Sequence, residues 1–172
     1  MVSPRRAGCA ATVLALLASL GVSAGEDPPL SSGSYRERVV TRDEEGVRVS
    51  VAVLSAREAH SEYGVLLARR SIQPVWIEVE NRTSHTLWLM SPGIDPGFFP
   101  ASEAAEAFER PERRFRELSF PNPVAPASTA SGFVLTNLHE GVKFVQLDLV
   151  GEKWSKTYLM LTPVPGLRSD YL

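Results

Sequence analysis

The chain has 172 residues, a formal net charge of −2 at pH 7 and one cysteine, Cys9. A chain of this length fits one domain with a single hydrophobic core. Its slightly acidic balance argues against nucleic-acid binding, which is typical of strongly basic domains. A single cysteine also excludes an intramolecular disulfide and a cysteine-ligated metal cluster.

Residues 1–24 have the pattern of a secretory signal peptide. Arg5 and Arg6 precede an apolar run over 9–22, and Val22-Ser23-Ala24 places small residues at the cleavage positions. The run is shorter than the roughly 20 residues that span a bilayer, so a retained membrane anchor is the alternative. We therefore expect export to the periplasm or the exterior.

The exported part is predicted to be a linker, residues 25–34, followed by one β-sandwich domain, residues 35–172. The linker "GEDPPLSSGS" is rich in Pro, Gly and Ser. A first strand is predicted at "YRERVVT" (35–41). A second is predicted at "VRVSVAV" (47–53), because its valines alternate with other residues as in a strand with one buried face.

A short helix is predicted after the second strand. Ser55 and Glu58 have the spacing of a capping box, in which the serine caps the helix and the glutamate returns the bond. Gly64 is typical of the residue that ends a helix. The sequence therefore predicts about two helical turns from Ser55 to Gly64.

The next strand is predicted at "PVWIEVE" (74–80). Its Val75, Ile77 and Val79 would share the buried face. The polar connection that follows contains Asn81 and suits a hairpin, so "HTLWLM" is predicted to be the antiparallel partner of this strand.

Three further strands are predicted at "SGFVLTN", "VKFVQLDLV" and "SKTYLMLTPV". In the second of these, Val145, Leu147 and Leu149 would face the core. About seven strands with short turns predict an all-β fold, an immunoglobulin-like antiparallel β-sandwich with a helical and loop insertion at about 91–131 between central strands.

The insertion begins with "GIDPGFFPASEAAEAF", residues 93–108, which lacks strand periodicity. One interpretation is a lid over an open end of the sandwich, in which Phe98 and Phe99 are anchors. A helix at about 102–108 would bury its alanines and leave Glu103 in water. The other interpretation is a binding groove between this lid and the strand ends, lined by Asp95, Glu103 and Trp88.

Aromatic residues on the outer sheet faces give a second candidate surface. Trp76 projects away from the valines of its strand, and Trp88 and Tyr158 are expected to do the same. Such a row would either be buried under the insertion or bind a partner. The candidate binding residues are therefore Asp95, Phe98, Phe99, Glu103, Trp88 and Trp76.

The sequence contains no recognisable catalytic motif. His60, His85 and His139 lie in different segments without metal-ligand spacing, and no Gly-x-Ser-x-Gly elbow is present. We therefore expect no catalytic residue, metal or cofactor. The alternative is a hydrolase or metal-dependent enzyme in which Asp95, Glu103 and His139 converge within hydrogen-bonding reach of a substrate.

Four stretches resemble a group of exported bacterial proteins: "IQPVWIEVENRTSHTLWLM", "IDPGFFPASEAAEAF", "SGFVLTNLHEGVKFVQLDLVG" and "VPGLRSDY". In that group a β-rich N-terminal region is often followed by a domain similar to the C-terminal domain of the LssY proteins. The group has Ser where this chain has Pro100, which would shift the start of the following helix.

The resemblance implies an accessory β-module and transfers no catalytic residue. We expect a non-enzymatic envelope module whose partner is an envelope protein, a polymer or an adjacent domain. Membrane contact is expected only if the N-terminal segment is retained. The sequence leaves the identity of the ligand and the oligomeric state open.

Overall fold

The computed structural model of the chain describes residues 33–90 and 98–166. The strands are β1 (Val40–Glu44), β2 (Val47–Val53), β3 (Ile72–Asn81), β4 (Trp88–Leu89), β5 (Ser128–Asn137), β6 (Val142–Gly151) and β7 (Trp154–Pro163). The α-helices are α1 (Ala56–Tyr63), α2 (Ala101–Ala107) and α3 (Glu112–Leu118), and short 3-10 helices cover Ser34–Arg38 and Leu67–Arg70. The predicted signal peptide lies outside the described residues.

The strands form two antiparallel sheets, which confirms the predicted seven-stranded β-sandwich. One sheet has the order β1-β2-β3-β5, and the other has the order β4-β6-β7. Alternate residues of each strand point into the space between the sheets. The valines of β2 and β3 meet Val145, Leu147 and Leu149 of β6 there, all at most 1% exposed.

The four-stranded sheet is buried on its inner face and on part of its outer face, where Arg48, Thr129 and Ser131 stay exposed. Its outer face carries Ala52, Trp76, Phe133 and Leu135, which form a second hydrophobic cluster with residues of the helices, including Phe115. This second cluster lies on the opposite side of the sheet from the inter-sheet core. The molecule is therefore a helix layer, a sheet and a second sheet, in that order.

The N-terminal part of the helix layer differs from the prediction. Residues Ser34–Arg38 form a 3-10 helix, and β1 begins only at Val40, so the predicted strand at 35–41 is mostly wrong. Tyr35 packs its ring 5.8 Å from that of Trp76 and 5.6 Å from that of Phe133. A continuous strand would carry this tyrosine away from the outer sheet face that it covers.

Helix α1 agrees with the prediction at both ends. The hydroxyl of Ser55 accepts a hydrogen bond from the backbone N–H of Glu58, whose carboxylate accepts one in return from the Ser55 backbone. Gly64 ends the helix with a φ of 70°, a left-handed conformation that glycine adopts without a steric penalty. The observed capping box confirms the helix that the spacing of Ser55 and Glu58 predicted.

The predicted hairpin between β3 and "HTLWLM" is wrong. Strand β4 pairs with β6 in the other sheet, while β3 pairs with β5 over ten residues. The chain passes from one sheet to the other between β3 and β4. The side chain of Asn81 stabilises this connection, because its Nδ2 donates to the carbonyl oxygens of His85 and Ala125 and so prevents a tight turn. The chain then enters the second sheet.

The insertion covers the part of the outer face around Phe133 and Leu135 and the edge of β5, whereas the lid interpretation expected it at an open end. Helix α2 buries Ala104 and Ala105, as predicted, and begins after Pro100. At the edge, the N–H of Phe99 donates to Leu135 O, and the N–H of Phe120 donates to Phe133 O, both at 2.9 Å. These bonds satisfy carbonyl groups that an uncovered edge would expose.

Candidate functional site

The outward surface of the three-stranded sheet is the main candidate site. We call it the open face and define it by its large exposed apolar side chains: Trp88, Met90, Val142, Phe144, Val150, Leu159 and Leu161. Their exposed fractions run from 36% for Val150 to 67% for Leu161. Single exposed apolar residues are ordinary, but a group on one side of one sheet is a candidate interaction surface.

The strand register explains why these residues lie together. In β6 and β7 the residues that face the core alternate with those that face outward. Phe144 is paired with Leu161, and Gln146 is paired with Leu159, so these four side chains are direct neighbours on the outer surface. Trp88 of β4 is paired with Val150 and extends the surface to the other end of the sheet.

The centre of the open face is polar but has little free charge. Asp148 accepts a hydrogen bond of 2.6 Å from the Thr157 hydroxyl and one of 3.0 Å from Gln146 Nε2. No other ionisable residue of β4, β6 or β7 points outward within the described residues. Because burying a carboxylate without a cation is costly, the face favours a largely apolar partner that leaves Asp148 in water or places a donor beside it.

The structure separates the two candidate tryptophans. Trp76 is 4% exposed and lies beneath Tyr35 on the outer face of the four-stranded sheet, with the Arg36 guanidinium 5.3 Å from its ring. Trp88 is 45% exposed and lies on the open face. The two side chains are thus on opposite sides of the sandwich, and Tyr158 points into the core. They form no common aromatic row.

The candidate residues of the insertion do not form one groove with Trp88. Phe98 packs against the inter-sheet core and Phe99 against the helix-layer cluster. Both line a cavity of about 70 Å³, which is large enough for little more than water. Glu103 is exposed on α2, and Asp95 lies outside the described residues.

The residues of the enzyme alternative are found on separate elements. His139 lies in the turn between β5 and β6, whereas Glu103 lies on α2. In the described ranges, 33–90 and 98–166, no group of three or more His, Cys, Asp or Glu side chains could hold a metal ion.

A second depression lies at the end of the sandwich beside His139. It has a volume of about 610 Å³ and is bordered by the turn from Leu138 to Gly141, by the start of α1 and by residues 164–166. The buried Gln73 donates to the carbonyl of His139 and accepts from its N–H, which fixes the turn. Nearby, the buried Lys143 donates to Asn137 O at 2.6 Å. These contacts account for the local structure without a ligand.

An ion cluster joins the two sheets at the opposite end of β7. Lys156 Nζ lies 2.9 Å from Glu44 and 2.6 Å from Glu45, and Trp154 also donates to Glu45. Hydrogen bonds from Lys156 and Trp154 lower the pKa of Glu45, and those two glutamates raise the pKa of Lys156. The lysine is therefore directed toward β1 and away from the open face.

Sequence reasoning missed most of the open face. Of its seven residues, only Trp88 was among the candidates. The available signal was the pair of apolar residues Phe144 and Val150 on the outward side of β6, and the unbroken run "YLML" in β7. Because "YLML" is apolar on both sides, it contains no alternation that identifies Leu159 and Leu161 as exposed.

Comparison of the chain with protein-family models, with curated proteins and with solved structures found no match. Within the described residues, no helix has the length and apolar character needed to cross a membrane.

Proposed function

We propose that this chain is an exported, non-enzymatic interaction module of the bacterial cell envelope, and that the open face binds a partner protein. The observation that carries the proposal is the contrast between the two sides of the sandwich. The outer face of the four-stranded sheet is covered by the helix layer around Trp76 and Phe133 and carries polar side chains elsewhere, whereas the open face exposes seven large apolar side chains.

Burial of the open face would be favourable. Each Å² of apolar surface removed from water contributes about 25 cal/mol, and the two largest exposed fractions belong to Leu161 and Val142, at 67% and 57%. The hydrogen bonds already made by Asp148 reduce the cost of excluding water from the centre of the face. A largely apolar protein surface with a polar group opposite Asp148 is therefore the best complement.

The envelope location rests on the N-terminal sequence and on the resemblance described above. The arginine pair, apolar run and small residues over 1–24 support export. The resemblance to exported proteins that continue into an LssY-like domain supports an accessory role next to another domain or protein. Both supports come from the sequence.

Export is tested by fusing residues 1–24 to a reporter enzyme that is active only outside the cytoplasm. We expect reporter activity and a mature N-terminus after Ala24 by mass spectrometry. The matched control replaces Arg5 and Arg6 by Glu, which removes the positive n-region while the apolar run stays intact. A wild-type fusion that remains inactive in the cytoplasm would contradict the proposal.

Partner binding is tested with the double variant Phe144→Ser, Leu161→Ser. The full chain is used to recover proteins from an envelope extract, and each recovered protein is then purified and titrated against the variants. We expect the double variant to weaken binding at least about tenfold. Equal binding by wild type and double variant would assign the interaction to another surface.

The chain offers a matched control for this test. Leu66 and Leu138 are 39% and 41% exposed and lie outside the open face. The double variant Leu66→Ser, Leu138→Ser therefore makes the same change in chemistry at sites of similar exposure. Binding should be unchanged in it, and an equal loss would show that general surface hydrophobicity explains the recovery.

A further inference from the structure

We propose that the free edge of β7 pairs with β7 of a second copy of this chain, so that two three-stranded sheets join into one six-stranded sheet. The pairing is antiparallel and symmetric about Tyr158. The inference deepens the proposed function, because it enlarges the same open face, but the dimer can be tested without the partner. It is built from the strand register, the backbone hydrogen bonds and the composition of β7.

The hydrogen-bond pattern shows which residues of β7 face away from β6. In an antiparallel pair, directly opposed residues alternate between those that exchange backbone hydrogen bonds and those that do not. Val164 N donates to Gly141 O, and Met90 N donates to Asp148 O on the other side of β6. Val164 and Gly141 are therefore a hydrogen-bonded pair, and in the register of β6 and β7 every second residue of β7 bonds β6 in the same way. The residues between them, Ser155, Thr157, Leu159 and Leu161, direct their backbone groups to the free edge.

These backbone groups have no partner in the described part of the chain. No strand is adjacent to β7 on that side, and the backbone hydrogen bonds of loops and turns include none from these four residues. Backbone N–H and C=O groups are strong donors and acceptors that are nearly always paired when buried. A row of them along an apolar sheet is a template for another strand.

Two other strand edges are short and charged or are covered, whereas β7 carries only Lys156 and, at its end, Pro163. β1 has only five residues, and three of them, Arg42, Asp43 and Glu44, are charged. The edge of β5 is covered by the backbone of Phe99 and Phe120. β7 has ten residues, and its one charged side chain, Lys156, is held by the glutamates of the β1–β2 turn. Its edge is therefore long and uncharged.

The free edge is complementary to itself in one register. When Thr157 is placed opposite Leu159 of the second copy, Ser155 falls opposite Leu161, and every free N–H and C=O of these four residues meets a partner. This gives about eight backbone hydrogen bonds. Pro163 also faces the edge but has no N–H, and in this register it lies beyond the paired residues.

The area of the open face also favours a second copy. At about 4.8 Å per strand and about 3.3 Å per residue, the ten-residue strands β6 and β7 and the two-residue strand β4 cover about 350 Å², whereas a stable protein interface buries about 800 Å² on each partner. Two sheets joined through β7 present about 700 Å² in total. One copy therefore offers less than half of a standard interface, and the joined pair comes close to it.

The first test measures the oligomeric state of the full chain by sedimentation equilibrium up to about 1 mM. Thr157→Pro removes an N–H from the free edge but none from the bonds to β6. Thr157→Val is the matched control, because it also loses the hydroxyl but keeps the N–H. We expect the wild type and Thr157→Val to dimerise. Thr157→Pro should raise the dissociation constant at least about tenfold while its urea unfolding midpoint confirms that it is folded.

The second test traps the register. In a Cys9→Ser background, the single variants Thr157→Cys and Leu159→Cys are mixed and oxidised. Opposed residues of a hydrogen-bonded pair have Cα atoms about 5.5 Å apart, which suits a disulfide. We expect cross-linked dimers mainly in the mixture and much less with either variant alone. A mixture of Ser155→Cys and Leu159→Cys, which are offset by one pair of residues, should cross-link poorly.

The outcomes separate this inference from the proposed function. A wild type that stays monomeric at about 1 mM, or a dimer that cross-links equally in all mixtures, would overturn the inference. If the wild type itself is monomeric and Thr157→Pro nevertheless loses the envelope partner, the edge pairs with a foreign strand and the inference is overturned as well. Phe144 lies on β6, away from the free edge of β7. A Phe144→Ser variant that still dimerises but no longer binds the envelope partner would support both proposals.

Discussion

The guanidinium of Arg38 donates a 2.6 Å hydrogen bond to a carboxylate oxygen of Glu58, and this bond joins the N-terminal 3-10 helix to α1. Glu58 is nearly buried and also accepts hydrogen bonds from Ser34 and Ser55. Burial by itself would raise the pKa of Glu58, but the hydrogen bonds from Arg38, Ser34 and Ser55 outweigh it and lower the pKa below 4.5. The carboxylate therefore stabilises the fold in its charged form.

Arg38→Met is expected to lower the free energy of unfolding by about 2 kcal/mol at pH 7, because it leaves a buried carboxylate without its cation. Since the folded-state pKa of Glu58 lies below the unfolded-state value, the stabilisation is complete above about pH 4.5 and is lost as the pH falls through the folded-state pKa. Urea unfolding at pH 7 and pH 3 measures both effects. The exposed Arg113→Met is the control, with an effect within about 0.5 kcal/mol.

Gly132→Ala is expected to destabilise the protein by about 2 to 3 kcal/mol. A Cβ at this position would lie 2.6 Å from the Cα of Phe120, so the segment after α3 that covers the edge of β5 would have to move. Gly64→Ala is the comparison, because its φ of 70° is unfavourable for alanine but no atom lies within 4 Å. It should cost about 1 kcal/mol. A smaller loss for Gly132→Ala than for Gly64→Ala in urea unfolding would contradict the edge contact.

Leu147→Ala and Leu161→Ala should differ strongly in stability although both delete the same atoms. Leu147 has no exposed surface and lies in the inter-sheet core, whereas Leu161 is 67% exposed on the open face. We expect a loss of about 2 to 5 kcal/mol for the first and a change within about 0.5 kcal/mol for the second. Thermal or urea unfolding measures both. Similar losses would mean that the inward and outward sides of the sheet are assigned incorrectly.

Tyr158 is expected to make stability fall at alkaline pH. Burial raises the pKa of Tyr158 to about 12, above the unfolded-state value of about 10. Because the neutral form is favoured in the folded state, this stabilisation is present below about pH 10 and is lost as the pH rises toward 12. Tyr158→Phe should remove this part of the decline and lose only a 3.3 Å hydrogen bond to Glu44 O. Unfolding at pH 8 and pH 11 compares the two proteins.

Local signals in the sequence were sufficient where the structure depends on neighbouring residues. The capping box of Ser55 and Glu58 predicted α1, and the valines of β2 and β3 predicted the strands that face the core. These features depend on contacts within a few residues or on a period of two. The helix and these strands are found in the fold as predicted, because the valines are buried in the inter-sheet core.

Long-range features were not available from the sequence. The pairing of β4 with β6 depends on Asn81 contacting His85 and Ala125, and no local pattern indicates the contact with Ala125. The open face depends on which side of "YLML" meets the other sheet, and both sides are apolar. Lys143 faces inward in β6, although lysine is a residue type that usually faces solvent. In each case the partner strand decides, and the sequence does not identify the partner.

Phe98 and Phe99 are adjacent in sequence, yet one packs against the inter-sheet core and the other against the helix-layer cluster. The peptide bond between them thus links the inter-sheet core to the helix-layer cluster at the edge of β5. If the helix layer separated from the sheet, Phe98 would move together with Phe99, and water would enter the space between the sheets. The two regions should therefore open together as one cooperative unit, so that amide protons of α2 exchange with solvent only through the same opening that releases the core strands.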